Sequence, residues 1–182
     1  APTVPTFIEA PENGAEGTET DLEITWNAST DADEDPVKYN LYLGTNADDI
    51  VGVASALTVT NYSITGLSLG TTYFLKVEAY DGVNTAVSSE VREFTTSSSG
   101  SFTDSRDGVV YGTELIGGQI WMKENLQYNS ASSYSYDDNA ANDDTYGRLY
   151  EWSGVSGAIP DGWHLPTDAV SYTHLTLPTT PY

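Results

Sequence analysis

Three stretches of this chain alternate apolar and polar residues with a period of two, and that alternation most narrows what it can fold into. Leu22, Ile24 and Trp26 are separated by Glu23 and Thr25; Val37, Tyr39, Leu41 and Leu43 by Lys38, Asn40 and Tyr42; Tyr73, Leu75, Val77 and Ala79 by Phe74, Lys76 and Glu78. Successive side chains of a strand point to opposite faces, so each stretch has one face for a core and one for solvent. On a helix the same residues would be scattered around the axis. Turn signals separate the stretches: Asn13-Gly14, the acidic run at 31–35, and Asp81-Gly82. Short strands at this spacing predict an antiparallel β-sandwich over residues 1–96. Val91 and Phe94 fit less well, because residues three apart share a strand face only across a bulge.

The run Ser97-Ser98-Ser99-Gly100-Ser101 has no side chain able to join a core and reads as a flexible linker between two folding units. A length of 182 residues suits two small domains with modest cores. Both are acidic: 16 Asp and Glu precede Ser97 and 11 follow, against three Lys and Arg on each side, for a formal net charge of -21. Such a surface repels phosphate backbones and anionic membranes, which argues against nucleic acid as a partner. Cysteine is absent, which removes disulfides, thiolate metal sites and a cysteine nucleophile from consideration. No apolar run approaches the roughly 20 residues that span a bilayer. The opening Ala1-Pro2-Thr3, without an initiator Met, reads as a mature form or an internal fragment.

Residues 4–96 resemble a fibronectin type III domain. Trp26 stands where that family keeps the core tryptophan of its second strand, and Leu67-Ser68-Leu69-Gly70-Thr71-Thr72-Tyr73 is similar to its Leu-x-Pro-Gly-Thr-x-Tyr corner, with Leu69 in place of proline. The resemblance implies an all-β, immunoglobulin-like sandwich in which Tyr73 is the corner tyrosine whose hydroxyl bonds nearby backbone. It also implies a spacer or binding module. Asp81-Gly82-Val83-Asn84 occupies the loop where an Arg-Gly-Asp motif would stand.

Asp31-Ala32-Asp33-Glu34-Asp35 places carboxylates at alternate positions, as in loops that give several oxygens to one hard cation. In the expected sandwich the loops at 29–35 and 81–84 share one end, so Asp81 can join Asp31, Asp33 and Asp35 as a calcium-ligand candidate. The competing reading is a solvated acidic turn leading into Pro36. No Gly lies inside the run to make the sharp turn of an EF-hand loop.

Beyond the Ser-rich run, Phe102-Thr103-Asp104, Val109 to Ile116 and Gln119 to Met122 predict short strands around an Arg106-Asp107-Gly108 turn and a Gly117-Gly118 hairpin. Residues 129–145 are rich in Tyr, Asn, Asp and Ala and read as a long surface loop. The blocks "FTDSRDG", "IGGQIWMKENL", "YGRLYEW" and "GWHLPTD" occur in the order of the Fibrobacter succinogenes major paralogous domain, and residues 102–168 resemble its amino-terminal part. The resemblance implies a secreted or surface bacterial protein. "HLPTDA" is also similar to a stretch of C-type-lectin-like, formylglycine-generating domains, which points to an incomplete α+β domain of lectin-like type. Those enzymes depend on cysteine, so their activity is not implied.

Tyr and Trp crowd this second unit. Trp121, Trp152 and Trp163 lie inside the family blocks and are expected to fill a small core. Tyr134 and Tyr136, in the polar stretch, are the ligand candidates, since flat apolar rings beside Asp and Asn can stack on sugar rings. A structural hydrogen bond is the expected role of His164.

All 33 charged residues occur by Asp168. "VSYTHLTLPT" at 170–179 resembles a translated sequencing adaptor, so residues 169–182 are expected to be an artefactual tail, His174 included. The chain reads as a non-catalytic module pair of a bacterial secreted or cell-surface protein, a spacer carrying an adhesion or carbohydrate-binding domain whose partner is an extracellular polysaccharide or surface protein. The alternatives are an accessory region of an extracellular hydrolase and a purely structural stalk.

Overall fold

The computed structural model describes residues 1–7, 11–84 and 86–167; Asp168 and the expected tail at 169–182 lie outside them. The chain divides into two units, the first Ala1–Ser99 and the second starting at Gly100. No helix among the described residues is long and apolar enough to cross a membrane.

In the first unit β1 (Ala15–Thr18), β8 (Arg92–Thr96), β6 (Thr72–Tyr80), β3 (Lys38–Gly44) and β4 (Val51–Leu57) form one sheet in that order, and β7 (Val87–Ser88) pairs with β6. β2 (Leu22–Thr25) and β5 (Asn61–Ile64) pair antiparallel in a second sheet. Phe7 extends this second sheet through an isolated bridge to Trp26. The two inner faces meet over Ile24, Trp26, Tyr39, Leu41, Leu75, Val77, Ala79 and Phe94, all buried. All but Phe94 are alternating positions of the predicted strands, so the period-two pattern set which face those strands turn inward.

Val91 and Phe94 need no bulge. Phe94 is buried in β8, whereas Val91 precedes the strand and is exposed.

Two buried or half-buried tyrosines bond backbone N–H groups at the edges of this core. The Tyr39 ring packs edge-on against Trp26 at 5.5 Å between centroids, and its hydroxyl accepts the Ser29 N–H at 2.7 Å. The Tyr73 ring stacks on Phe94, and its hydroxyl accepts the Ser68 N–H at 3.0 Å, five residues back. This is the tyrosine corner, and it holds although Leu69 replaces proline. Thr96 ties the same corner to β8 by donating to the Ser68 carbonyl at 2.6 Å.

In the second unit β9 (Ser99–Thr103), β10 (Val110–Ile116) and β11 (Gln119–Met122) form a three-stranded sheet with β10 in the middle. Ser99, Gly100 and Ser101, which composition reads as linker, therefore open a strand. Small residues carry the same backbone donors and acceptors as any others, and a neighbouring strand can recruit them. Gly117 and Gly118 have φ of 58° and 79°, and the pairing of Ile116 with Gln119 closes a two-residue turn. Positive φ at both central positions is the type I′ geometry that matches strand twist.

Residues 129–145 are not one loop. β12 (Ser133–Ser135) pairs antiparallel with β13 (Arg148–Tyr150), and short 3-10 turns at Tyr136–Asp138 and Ala140–Asn142 and a single helical turn, α1 (Asp143–Tyr146), lie between them. The polar composition hid the strand because only its exposed face carries a large side chain, Tyr134.

Asp104, 1% exposed, anchors this unit. Its two oxygens accept Arg106 Nε at 2.9 Å and Nη2 at 2.6 Å. The same guanidinium donates to the Ala158 carbonyl at 2.9 Å and lies 3.7 Å over the Tyr128 ring. One side chain thus joins the turn after β9 to segments some 20 and 50 residues further on. Phe102, Tyr111 and Trp163 pack beside it, with Phe102 5.0 Å from Trp163.

Tyr73→Phe removes the acceptor of the Ser68 N–H and should cost about 1 kcal/mol, lowering the melting temperature of the first unit by roughly 4–8 °C; an unchanged melt would show that water replaces the bond. The Arg106 guanidinium holds the Asp104 carboxyl below the usual carboxylate range. A depressed folded pKa contributes stability that is fully present above the unfolded value of about 3.9 and lost as pH falls toward the folded one. Acid titration followed by tryptophan fluorescence should show the second unit losing stability below about pH 4, a limb that Asp104→Asn flattens. Arg106→Met, which strands the buried carboxylate, should cost about 3 kcal/mol at neutral pH.

Candidate functional site

Two places bring the predicted residues together. The first lies at one end of the sandwich. The chain leaves β2 at Thr25, runs beside the amino-terminal segment through the Asn27 N–H to Thr6 carbonyl bond and the Thr3 N–H to Thr30 carbonyl bond, and reaches Asp31, which bridges to Pro2. Asp81 directly follows β6. Carboxylate oxygens of Asp31, Asp35 and Asp81 lie within 4.8 Å of one another. Asp33 is not in that set. Alternate residues share a face only in an extended strand, and this stretch is a turn, with Glu34 at φ 64°.

Asp33 contributes its backbone instead: its N–H donates to Asp31 Oδ1 at 2.9 Å. Asp81 folds its own loop in the same manner. Its Oδ1 accepts the N–H groups of Val83 at 2.8 Å and Asn84 at 2.7 Å, and its Oδ2 accepts the Asn84 side-chain amide at 2.7 Å. These bonds, the Asn84 side chain foremost, hold the Asp81 carboxyl well below the usual carboxylate range. The Ala1 ammonium lies 3.1 Å from Asp31 Oδ2 and 3.9 Å from Asp81 Oδ2.

The second place is the β12–β13 hairpin. Register pairs Tyr134 with Leu149, and Ser133 and Ser135 with Tyr150 and Arg148. Alternation therefore puts Tyr134 and Leu149 on one face, both more than half exposed. The other face is pinned by Arg148, whose guanidinium bonds Ser133 Oγ at 3.0 Å, Ser135 Oγ at 3.1 Å and the Asp143 carboxylate. Tyr150 adds a bond from its hydroxyl to the Tyr128 carbonyl at 2.7 Å, and burial raises its phenol pKa. Tyr134 donates to Glu151 Oε1 at 2.8 Å, and that carboxylate raises the Tyr134 pKa. Tyr136, just past β12, is 54% exposed and meets the Tyr146 ring at 5.4 Å.

The structure corrects one expectation about the tryptophans. Trp121 and Trp163 are half-buried, but Trp152 is 86% exposed. It follows β13 in a turn, where no packed layer covers it. Sequence reasoning also passed over Leu149 as an exposed apolar residue; the Arg148-Leu149-Tyr150 alternation was the available signal. His164 is exposed. It lines a cavity of about 680 Å³ with Trp121, Met122, Leu126, Trp163 and Pro166. His174 lies outside the described residues.

Residues 9–95 match the family model of the fibronectin type III domain, and residues 115–170 match that of the Fibrobacter succinogenes major domain. No curated protein matches the chain. Similar solved structures include an Fn3-like protein from Clostridium thermocellum, 24% identical, covering 50% of this chain and 93% of that one with a TM-score of 0.37. An FN3tt mutant is 20% identical over 53% of this chain and 94% of that one, TM-score 0.35. The FN1-FN3 domains of chicken CNTN1 are 12% identical over 82% of this chain and 53% of that one, TM-score 0.39. At such scores the fold rests on the strand pairing and the family match rather than on these likenesses. The chain carries a fibronectin type III domain over residues 9–95, followed by a Fibrobacter succinogenes major domain over residues 115–170.

Proposed function

We propose that the chain is a non-catalytic module pair of a bacterial secreted or cell-surface protein, in which the fibronectin type III domain is a spacer and the second unit contacts glycans through its β12–β13 hairpin. The family matches support the extracellular setting. The observation that carries the glycan reading is the exposure of Tyr134 and Tyr136 on a hairpin whose other face is locked by Arg148. Aromatic rings held rigidly in water, beside carboxylate and amide groups, suit the apolar faces and hydroxyl edges of sugars. Glu151 bonds Tyr134, and Asp137, Asp138, Asp143 and Asp144 follow within ten residues. Together with a net charge of -21 they disfavour sulfated or uronic glycans and favour neutral ones.

Pull-down on insoluble neutral polysaccharides and titration with soluble oligosaccharides test this reading. Each tyrosine should contribute about 1 kcal/mol, so Tyr134→Ala with Tyr136→Ala should weaken binding by roughly tenfold or more without changing the melt of the first unit. Failure of the unaltered chain to retain any neutral glycan, or equal retention of the double variant, would sink it.

A further inference from the structure

We propose that the cavity beside β11 binds a small organic ammonium ion, an alkylated amine that carries its positive charge on an apolar body. This goes beyond the glycan reading and does not depend on it, since the cavity is lined by residues of 119–126 and 162–166 and not by the hairpin tyrosines.

The cavity has the size and the fixed walls of a ligand site. Its volume of about 680 Å³ lies within the range of small-molecule pockets. Trp121 and Trp163 line it together with Met122, and the surrounding structure holds the two indoles in place. Trp121 belongs to β11 and pairs with Glu114 of β10. The Trp163 ring meets Phe102 at 5.0 Å, and the Trp163 backbone N–H donates to the Pro160 carbonyl at 3.1 Å. Asn125, also on the lining, donates its side-chain amide to the Tyr146 carbonyl at 3.1 Å. A ligand loses little affinity to ordering walls that are already held.

Charge selects the class of ligand. Among the described lining residues Glu124 alone is counted as charged at pH 7. Its Oε2 accepts the Gly112 N–H at 2.7 Å, which anchors the carboxylate. The three basic side chains of the second unit are each engaged by a carboxylate: Arg106 by Asp104 at 2.6 Å, Lys123 by Glu114 at 3.1 Å and Arg148 by Asp143. An anionic ligand is therefore repelled, and a cation is drawn in. Tryptophan is the side chain whose ring attracts a cation most strongly, and aromatic sites recognise quaternary ammonium groups in this way. Two tryptophans and one carboxylate suit such a group, whereas a neutral molecule of the same shape gains the apolar contact alone.

Titration of the full chain with choline chloride and with neohexyl alcohol, which has carbon in place of the charged nitrogen, tests this through the indole N–H resonances. Choline should shift Trp121 and Trp163 and leave Trp152, 86% exposed, unmoved. Its Kd should lie about tenfold or more below that of the alcohol, the combined effect of two cation–π contacts. Glu124→Gln keeps an oxygen for the Gly112 N–H and should weaken choline binding roughly threefold without altering that of the alcohol. Trp121→Leu should bring the two probes to within about threefold of each other; a melting curve reports whether that variant folds, and Glu124→Gln carries the test if it does not. Tyr134→Ala with Tyr136→Ala should leave choline binding unchanged, which separates failure here from failure of the glycan reading. No shift with millimolar choline, equal affinity for the two probes, a shift centred on Trp152, or choline binding undiminished by Glu124→Gln would overturn the proposal.

Discussion

Burial of the face shared by Ile24 and Trp26 of one sheet with Leu41, Val77 and Phe94 of the other is the constraint on which the first unit depends. A slip of one residue in any of these strands would turn its apolar set outward and bring Glu23, Asn40 or Glu78 into the core. Register is therefore set by the core, and the loops inherit their positions from it. Asp31 lies five residues beyond Trp26 and Asp81 two beyond Ala79. Because those two core residues are fixed in facing sheets, their loops are delivered to the same end.

The second unit has a smaller apolar core and relies more on polar ties. Among the described residues its buried apolar side chains include Tyr111, Ala158 and Pro160, and Asp104 and Thr113 are buried with them. Arg106 compensates the buried carboxylate with two charge-assisted bonds while reaching the Ala158 carbonyl and the Tyr128 face. Arg148 plays the same part in the hairpin, drawing Ser133, Ser135 and Asp143 together. Two of the unit's three basic residues are consumed in this way, so a strongly acidic chain spends its few arginines on structure and presents carboxylates to solvent.

Where sequence reasoning fell short, the cause was local pattern overruled by three-dimensional context. Ser99 to Ser101 look like linker because their side chains are small, yet strand pairing uses the backbone. Trp152 looks like core because tryptophan is large and apolar, yet its position past the end of β13 leaves it in water. Asp33 looks equivalent to its neighbours because of period-two spacing, yet that period belongs to strands and the backbone here turns through Glu34.

The sequence by itself determined the inward faces of β2, β3 and β6, the Tyr73 corner, the diglycine turn and the order of the two domains. Each depends on neighbours within a few residues, where alternation, positive φ and turn chemistry act directly. Only the tertiary structure decided which carboxylates meet and which aromatics stay wet. Asp31 and Asp81 are 50 residues apart in sequence, and Tyr134 comes to face Leu149 only through the pairing of β12 with β13. Such juxtapositions arise from the packing of remote segments, and no periodicity within either segment encodes the distance between them.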